Sequence, residues 1–234
     1  MIQLLKEPPW FFGLDSRHIP SWFQGYDSYA QLAFFAITLM IALFALKIHK
    51  ITRQREPKLI SYGFFFISLS YFFWSLLNFE FFSGLGDFFC RKTSFCLAYL
   101  IVDLAIYIHM ILFLAGLITL NYMALRIKSH RTYTLLLLIV LLVIFFSLKV
   151  LFFFYLLSSL LLVYISIHHF QSYLKSGRRS FRAFLMGVSF LMLFCAGLQF
   201  IVGLNSALNY VIGNIMELAA YFVILYCTVG VIRK

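Results

Sequence analysis

Seven long apolar runs, separated by short polar connections, limit what this chain can fold into more than any single residue does. The windows fall at about 29–48, 59–82, 97–124, 132–148, 150–171, 182–204 and 207–232. Most approach or exceed the roughly 20 apolar residues that an α-helix needs to cross a hydrocarbon core of about 30 Å. Residues 133–167 form one nearly unbroken run interrupted by Lys149. As a single helix that run would be about 52 Å long at 1.5 Å per residue, well beyond the bilayer. A tight helical hairpin turning near Ser147, Leu148 and Lys149 fits better, and the expected fold is an all-α membrane protein, a seven-transmembrane-helix bundle. A single tilted helix over this run is the alternative, and would reverse every later span.

Loop charges choose between the two. Lys47, Lys50, Arg53, Arg55 and Lys58 follow the first span, Arg126, Lys128 and Arg131 the third, and Lys175, Arg178, Arg179 and Arg182 the fifth; Arg233 and Lys234 end the chain. With seven spans, fourteen of the 19 basic residues share one side, leaving Lys6, Arg17, Arg91, Lys92 and Lys149 on the other. The positive-inside rule then places the N-terminus outside and the C-terminus in the cytoplasm. The net charge of +11 is accounted for by this asymmetry, and nucleic acid is not an expected partner. The expected partners are the lipid bilayer, anionic headgroups at the basic loops, and a protein partner or a second copy of the chain. The expected location is integral and multi-pass in the cell membrane.

Composition agrees. Hydrophobic residues make up 63% and charged residues 12%, against roughly 25% charged in soluble domains. Residues 1–28 read as an extracellular, interfacial segment rich in Trp and Phe, and 29–234 as the transmembrane domain. Charges and three prolines in the first stretch interrupt any continuous apolar h-region, so no cleavable signal peptide is expected. Asp27 or Ser28 is the expected N-cap of the first helix. All four prolines precede or separate the spans, so proline-broken transporter helices are not expected. Ala183 and Gly187 are spaced for close helix packing.

Ionisable side chains at membrane depth are functional candidates, because each is costly in hydrocarbon. Asp103 and His109 in the third span and Glu217 in the seventh qualify. A carboxyl there is expected to be neutral or hydrogen-bonded to Tyr, Asn, Gln199 or His109. Helical spacing extends the set: Tyr210, Asn214, Glu217 and Tyr221 form one stripe, Ser68, Tyr71, Ser75 and Asn78 a second, and Tyr99, Asp103 and Tyr107 a third. The candidate ligand site is Tyr71, Asn78, Asp103, Tyr107, His109, Gln199, Asn214, Glu217 and Tyr221, between spans two, three, six and seven. Interhelical hydrogen bonding is the competing role for these groups, worth around 0.6 kcal/mol per contact. Cys90 and Cys96 share an outer loop and are disulfide candidates, equally readable as free thiols. Cys195 and Cys227 read as packing residues.

The G-x-S-x-G, H-E-x-x-H and paired-Asp patterns of intramembrane enzymes are absent, so no enzyme activity, metal or cofactor is expected. In topology the chain resembles seven-helix sensory membrane proteins, but the last span holds no lysine for a retinal Schiff base. The expected function is a receptor or sensor with an outward-opening polar pocket for a small, largely apolar ligand, signalling through a separate partner. The alternatives are a proton- or cation-coupled transporter or channel subunit using Asp103 and Glu217, and an accessory subunit of a membrane complex.

Overall fold

The computed structural model describes residues 26–78, 97–126, 129–147, 150–175, 181–203 and 207–232. These form seven α-helices: α1 (Tyr26–Thr52), α2 (Arg55–Asn78), α3 (Leu97–Ala124), α4 (His130–Phe145), α5 (Val150–Lys175), α6 (Phe181–Gly203) and α7 (Ala207–Ile232). All but α4 are long and apolar enough to cross a membrane, and α4 is a shorter apolar helix of 16 residues. The chain is a helical bundle with the character of an integral, multi-pass membrane protein. The 133–167 run breaks between Phe145 and Val150, where the length argument puts a turn. Asp27 and Ser28 lie inside α1 and do not cap it, because the helix already includes Tyr26. The Cys90 and Cys96 pair lies outside the described residues, as does the aromatic segment before Tyr26.

Six helices close into a ring in the order α1, α2, α3, α5, α6, α7, with α7 returning to α1. Ring contacts fix their directions. Ser68 and Ser75 of α2 donate to the carbonyls of Phe35 (3.2 Å) and Ser28 (3.3 Å), so α1 and α2 are antiparallel. Arg55 of α2 donates to the Tyr122 hydroxyl at the far end of α3 (2.8 Å) and lies over its ring, making that pair antiparallel too. The Asn121 amide donates to the Leu161 carbonyl (3.2 Å) and His109 packs on Phe154, so α5 runs parallel to α3. Arg182 at the start of α6 approaches Gly230 at the end of α7. Arg53, Arg55, Arg126, Lys175 and Arg182, at the ends of these helices, consequently gather at one end of the bundle.

The short helix α4 stands outside the ring. Tyr133 meets Thr119 and Tyr122, and Phe145 stacks on Tyr107 at 5.6 Å, so α4 lies antiparallel along the outer side of α3 over about 18 Å. Its other face exposes Leu135, Leu138, Ile139 and Leu142, a surface suited to lipid. The break between Phe145 and Val150 thus joins α4 and α5 as two antiparallel limbs, as the length argument expects, with α4 on the outside of the ring.

Glycine sets the tightest crossing. A Cβ on Gly116 of α3 would fall 2.6 Å from both the Gly63 carbonyl oxygen and Ile67 Cγ1 of α2. Backbone approach of this kind is the main packing device left to helices whose lipid surroundings are as apolar as their core. Gly187 serves α5 and α6 similarly: its added Cβ would meet the Phe170 ring at 3.1 Å, and its carbonyl accepts from Ser166 (2.8 Å). We predict that Gly116→Ala destabilises the bundle by about 1–3 kcal/mol, because backbone cannot yield as a side chain does. Gly230→Ala, whose nearest neighbour is the flexible Arg182 guanidinium at 3.4 Å, should change stability by under about 0.5 kcal/mol. Unfolding midpoints in mild detergent compare the two, and equal midpoints would refute the close-contact account.

Candidate functional site

A cavity of about 50 Å³ lies on the ring axis, and every ring helix contributes to its wall. Gln31 comes from α1, Tyr71 and Trp74 from α2, His109 and Phe113 from α3, Phe154 and Ser158 from α5, Gly197 and Phe200 from α6, and Tyr210, Glu217 and Tyr221 from α7. None of the described lining residues belongs to α4. By helix rise Glu217 is about 15 Å from the start of α7 and about 22 Å from its basic end, so the site lies toward the less basic side.

Glu217 is 7% exposed, and two phenols gather beside it. The Tyr71 hydroxyl donates to Glu217 Oε1. The Tyr71 and Tyr221 hydroxyls are 2.8 Å apart. Tyr221 is also hydrogen-bonded to Glu217, so the two phenols and the carboxyl form one closed cluster. Phe34 of α1 backs both rings at 5.3 and 6.0 Å and is fully buried. Phenols and carboxyl are thereby enclosed in aromatic packing.

His109 is held from α2. Its Nδ1 lies 3.0 Å from the Ser70 carbonyl oxygen and 2.7 Å from Ser70 Oγ. A carbonyl only accepts, so Nδ1 carries the proton and Nε2 is left as the acceptor. The ring packs against Trp74 at 4.6 Å and against Phe154 at 5.7 Å.

Two buried carbonyl oxygens, Gln31 Oε1 and Asn214 Oδ1, have no hydrogen-bond partner among the described residues, and neither does Ser159 Oγ. Ser159 faces Gly197, whose added Cβ would fall 2.5 Å from that hydroxyl. In a membrane interior an unsatisfied carbonyl is costly. Among the described residues no cluster of His, Cys, Asp or Glu could hold a metal ion.

Of the candidate residues, Tyr71, His109, Glu217 and Tyr221 line the cavity together. Asn214 is buried in the same α7 stripe, but its amide donates to its own helix at Tyr210 (3.0 Å) and it is not among the lining residues. Tyr107 is turned to α4, stacked on Phe145; being two residues from His109 it lies about 200° away around the helix. Gln199 is partly buried and does not line the cavity. The side chains of Asn78 and Asp103 lie outside the described residues. Sequence reasoning missed Gln31, the only amide side chain in the first span, and missed that spans one and five help to wall the site.

Comparison of the chain with family models, with curated proteins and with solved structures finds no match.

The shared cluster makes the tyrosines interdependent. Tyr71→Phe removes the donor to Glu217 and should destabilise by about 1–3 kcal/mol. Tyr221→Phe removes a partner of both Tyr71 and Glu217 and should cost a similar amount. Detergent unfolding of both variants and of the double variant checks this, with non-additivity expected; strictly additive losses would contradict a shared cluster.

Proposed function

We propose that this chain is a seven-span membrane receptor or sensor in which the axial cavity binds a small, largely apolar ligand and the signal passes to a separate partner protein. The observation that carries the reading is the cavity itself. All six ring helices meet at it, and its wall combines aromatic rings with a buried carboxyl and an unpartnered amide oxygen. Ligand pockets have this make-up, an apolar enclosure with a few placed polar groups. A ligand touching six helices at once can bias how they pack, which is what a sensor requires. In this reading α4 is the seventh span, the N-terminus is outside, and the basic end faces the cytoplasm and its anionic headgroups.

A second reading is supported by the cluster of Tyr71, Tyr221 and Glu217. Hydrogen-bonded phenols leading to an intramembrane carboxyl are the parts of a proton relay, and they suit a proton- or cation-coupled transporter or channel subunit.

One reconstitution separates the two readings. Proteoliposomes with an internal pH dye should show no electrogenic proton flux beyond empty vesicles if the chain is a receptor. Flux that collapses on Glu217→Gln would overturn that and favour transport. Orientation is tested separately: a reporter fused after Lys234 and a labelled cysteine at position 53 or 54, between α1 and α2, should both read cytoplasmic, whereas opposite sides would remove α4 as a span.

A further inference from the structure

We propose that Phe200 governs entry to the axial cavity: its ring constricts the mouth between α5, α6 and α7 and so sets the size of ligand admitted. This rests on the reading of the cavity as a ligand site and names its entrance. Three aromatic rings, one from each of these helices, meet at one corner of the wall. Phe200 lies 5.5 Å from the Tyr155 ring of α5 and 5.6 Å from the Tyr210 ring of α7, and all three line the cavity. By helix rise Phe200 is about 4.5 Å from the end of α6, while Tyr210 and Tyr155 are about 4.5 and 7.5 Å from the starts of α7 and α5. Glu217 is about 10 Å deeper along α7 than Tyr210. The three rings therefore stand between the carboxyl and the less basic end of the bundle.

Burial gives the ring its direction. A side chain on α6 that touches both neighbouring helices of the ring points toward the axis and away from lipid. Phe200 is nonetheless only half-buried, so its open side looks along the axis toward the nearby helix ends. One side of the phenyl meets the cavity and the other meets the mouth. The ring is seated on α7 where Gly213 has no side chain, and a Cβ there would fall 2.7 Å from it. Phe200 packs with Tyr210 and Val211 in a small cluster separate from the main core. A phenyl forms no conventional hydrogen bond, so only packing opposes its rotation out of the mouth. Trp74 also lines the cavity and is half-buried, but its ring lies on His109 at 4.6 Å and packs against the main core. It is the poorer entrance.

The test uses the full chain in lipid nanodiscs with Cys90, Cys96 and Cys195 replaced by alanine and Ser158→Cys introduced. Ser158 lines the cavity and is 3% exposed. Cys227, 4% exposed and toward the basic end of α7, is kept to report any loosening of the whole bundle. Two membrane-impermeant methanethiosulfonates are applied, the small trimethylammonioethyl reagent and a bulky biotin-bearing one, and mass spectrometry follows each site. Phe200→Ala should raise the rate at position 158 at least about tenfold, as removal of a gate does, and more for the bulky reagent. Gly213→Ala, which unseats the ring without removing it, should raise that rate severalfold. Neither variant should change the rate at Cys227. Should Phe200→Ala fail to fold, Gly213→Ala decides. A measurable but unchanged rate at position 158, an equal rise at Cys227, or a larger rise with Trp74→Ala overturns the entrance and leaves the ligand-site reading standing. Position 158 unreactive in every variant, even toward the small reagent, overturns both.

Discussion

Glu217 and Tyr71 sit on helices that are not neighbours in the ring, and the hydrogen bond between them crosses behind α1. A carboxyl at this depth has no bulk water to bond to, so its partners must come from protein and must be in place whenever the bundle is closed. That requirement reaches outward. Tyr71 can reach the carboxyl only while Phe34 holds its ring from α1, and α2 keeps its position through the backbone contact of Gly63 with Gly116. The same α2–α3 contact brings Ser70 against His109. Glu217 and His109 are therefore both bound by one helix, α2, through the adjacent residues Tyr71 and Ser70, about 100° apart around it.

The apolar packing around the site is not itself a source of selectivity. In a bilayer, lipid tails solvate a Leu or Phe as well as another helix does, so association relies on close backbone approach and on hydrogen bonds. This explains why so many described contacts at the ring interfaces are side chain to backbone. Ser68, Ser75, Asn121 and Ser166 each donate to a carbonyl of a neighbouring helix. These polar groups act as interhelical fasteners. The serines of the α2 stripe belong with them, while Tyr71, in the same stripe, reaches the cavity. One face of α2 thus does two jobs.

The number of helices and their bounds were legible in the sequence because length and polarity decide them. Lys149 and Ser147 mark a break that the bilayer thickness demands, and the observed gap between Phe145 and Val150 falls there. The place of α4 outside the ring was not legible. Its Leu-rich run reads the same whether it faces lipid or protein, since both environments reward the same residues. The α7 stripe was legible in full: Tyr210, Asn214, Glu217 and Tyr221 are all buried, because four polar residues at helical spacing leave no other consistent face. The α3 stripe misled at Tyr107. The pattern of steps of four fixes a common face but not which neighbour it meets, and the neighbour at Tyr107 is Phe145 of α4. Gln31 went unread because a single amide has no spacing to betray it.

The smallness of the cavity bears on how a sensor of this build would work. At about 50 Å³ the closed ring admits a few heavy atoms, whereas pockets for larger ligands run to roughly 300–1,000 Å³. A bulkier ligand would have to part the helices, and the wall shows which joints resist. The α2–α3 joint has backbone against backbone at Gly63 and Gly116, and yields only as a unit. The α5–α6 joint at Ser159 and Gly197 instead holds an unpartnered hydroxyl beside a glycine, so separating the two there breaks no hydrogen bond of that hydroxyl. Further along the same joint, however, Ser166 donates to the Gly187 carbonyl (2.8 Å) and Phe170 packs on Gly187, so α5 and α6 are held together beyond the cavity.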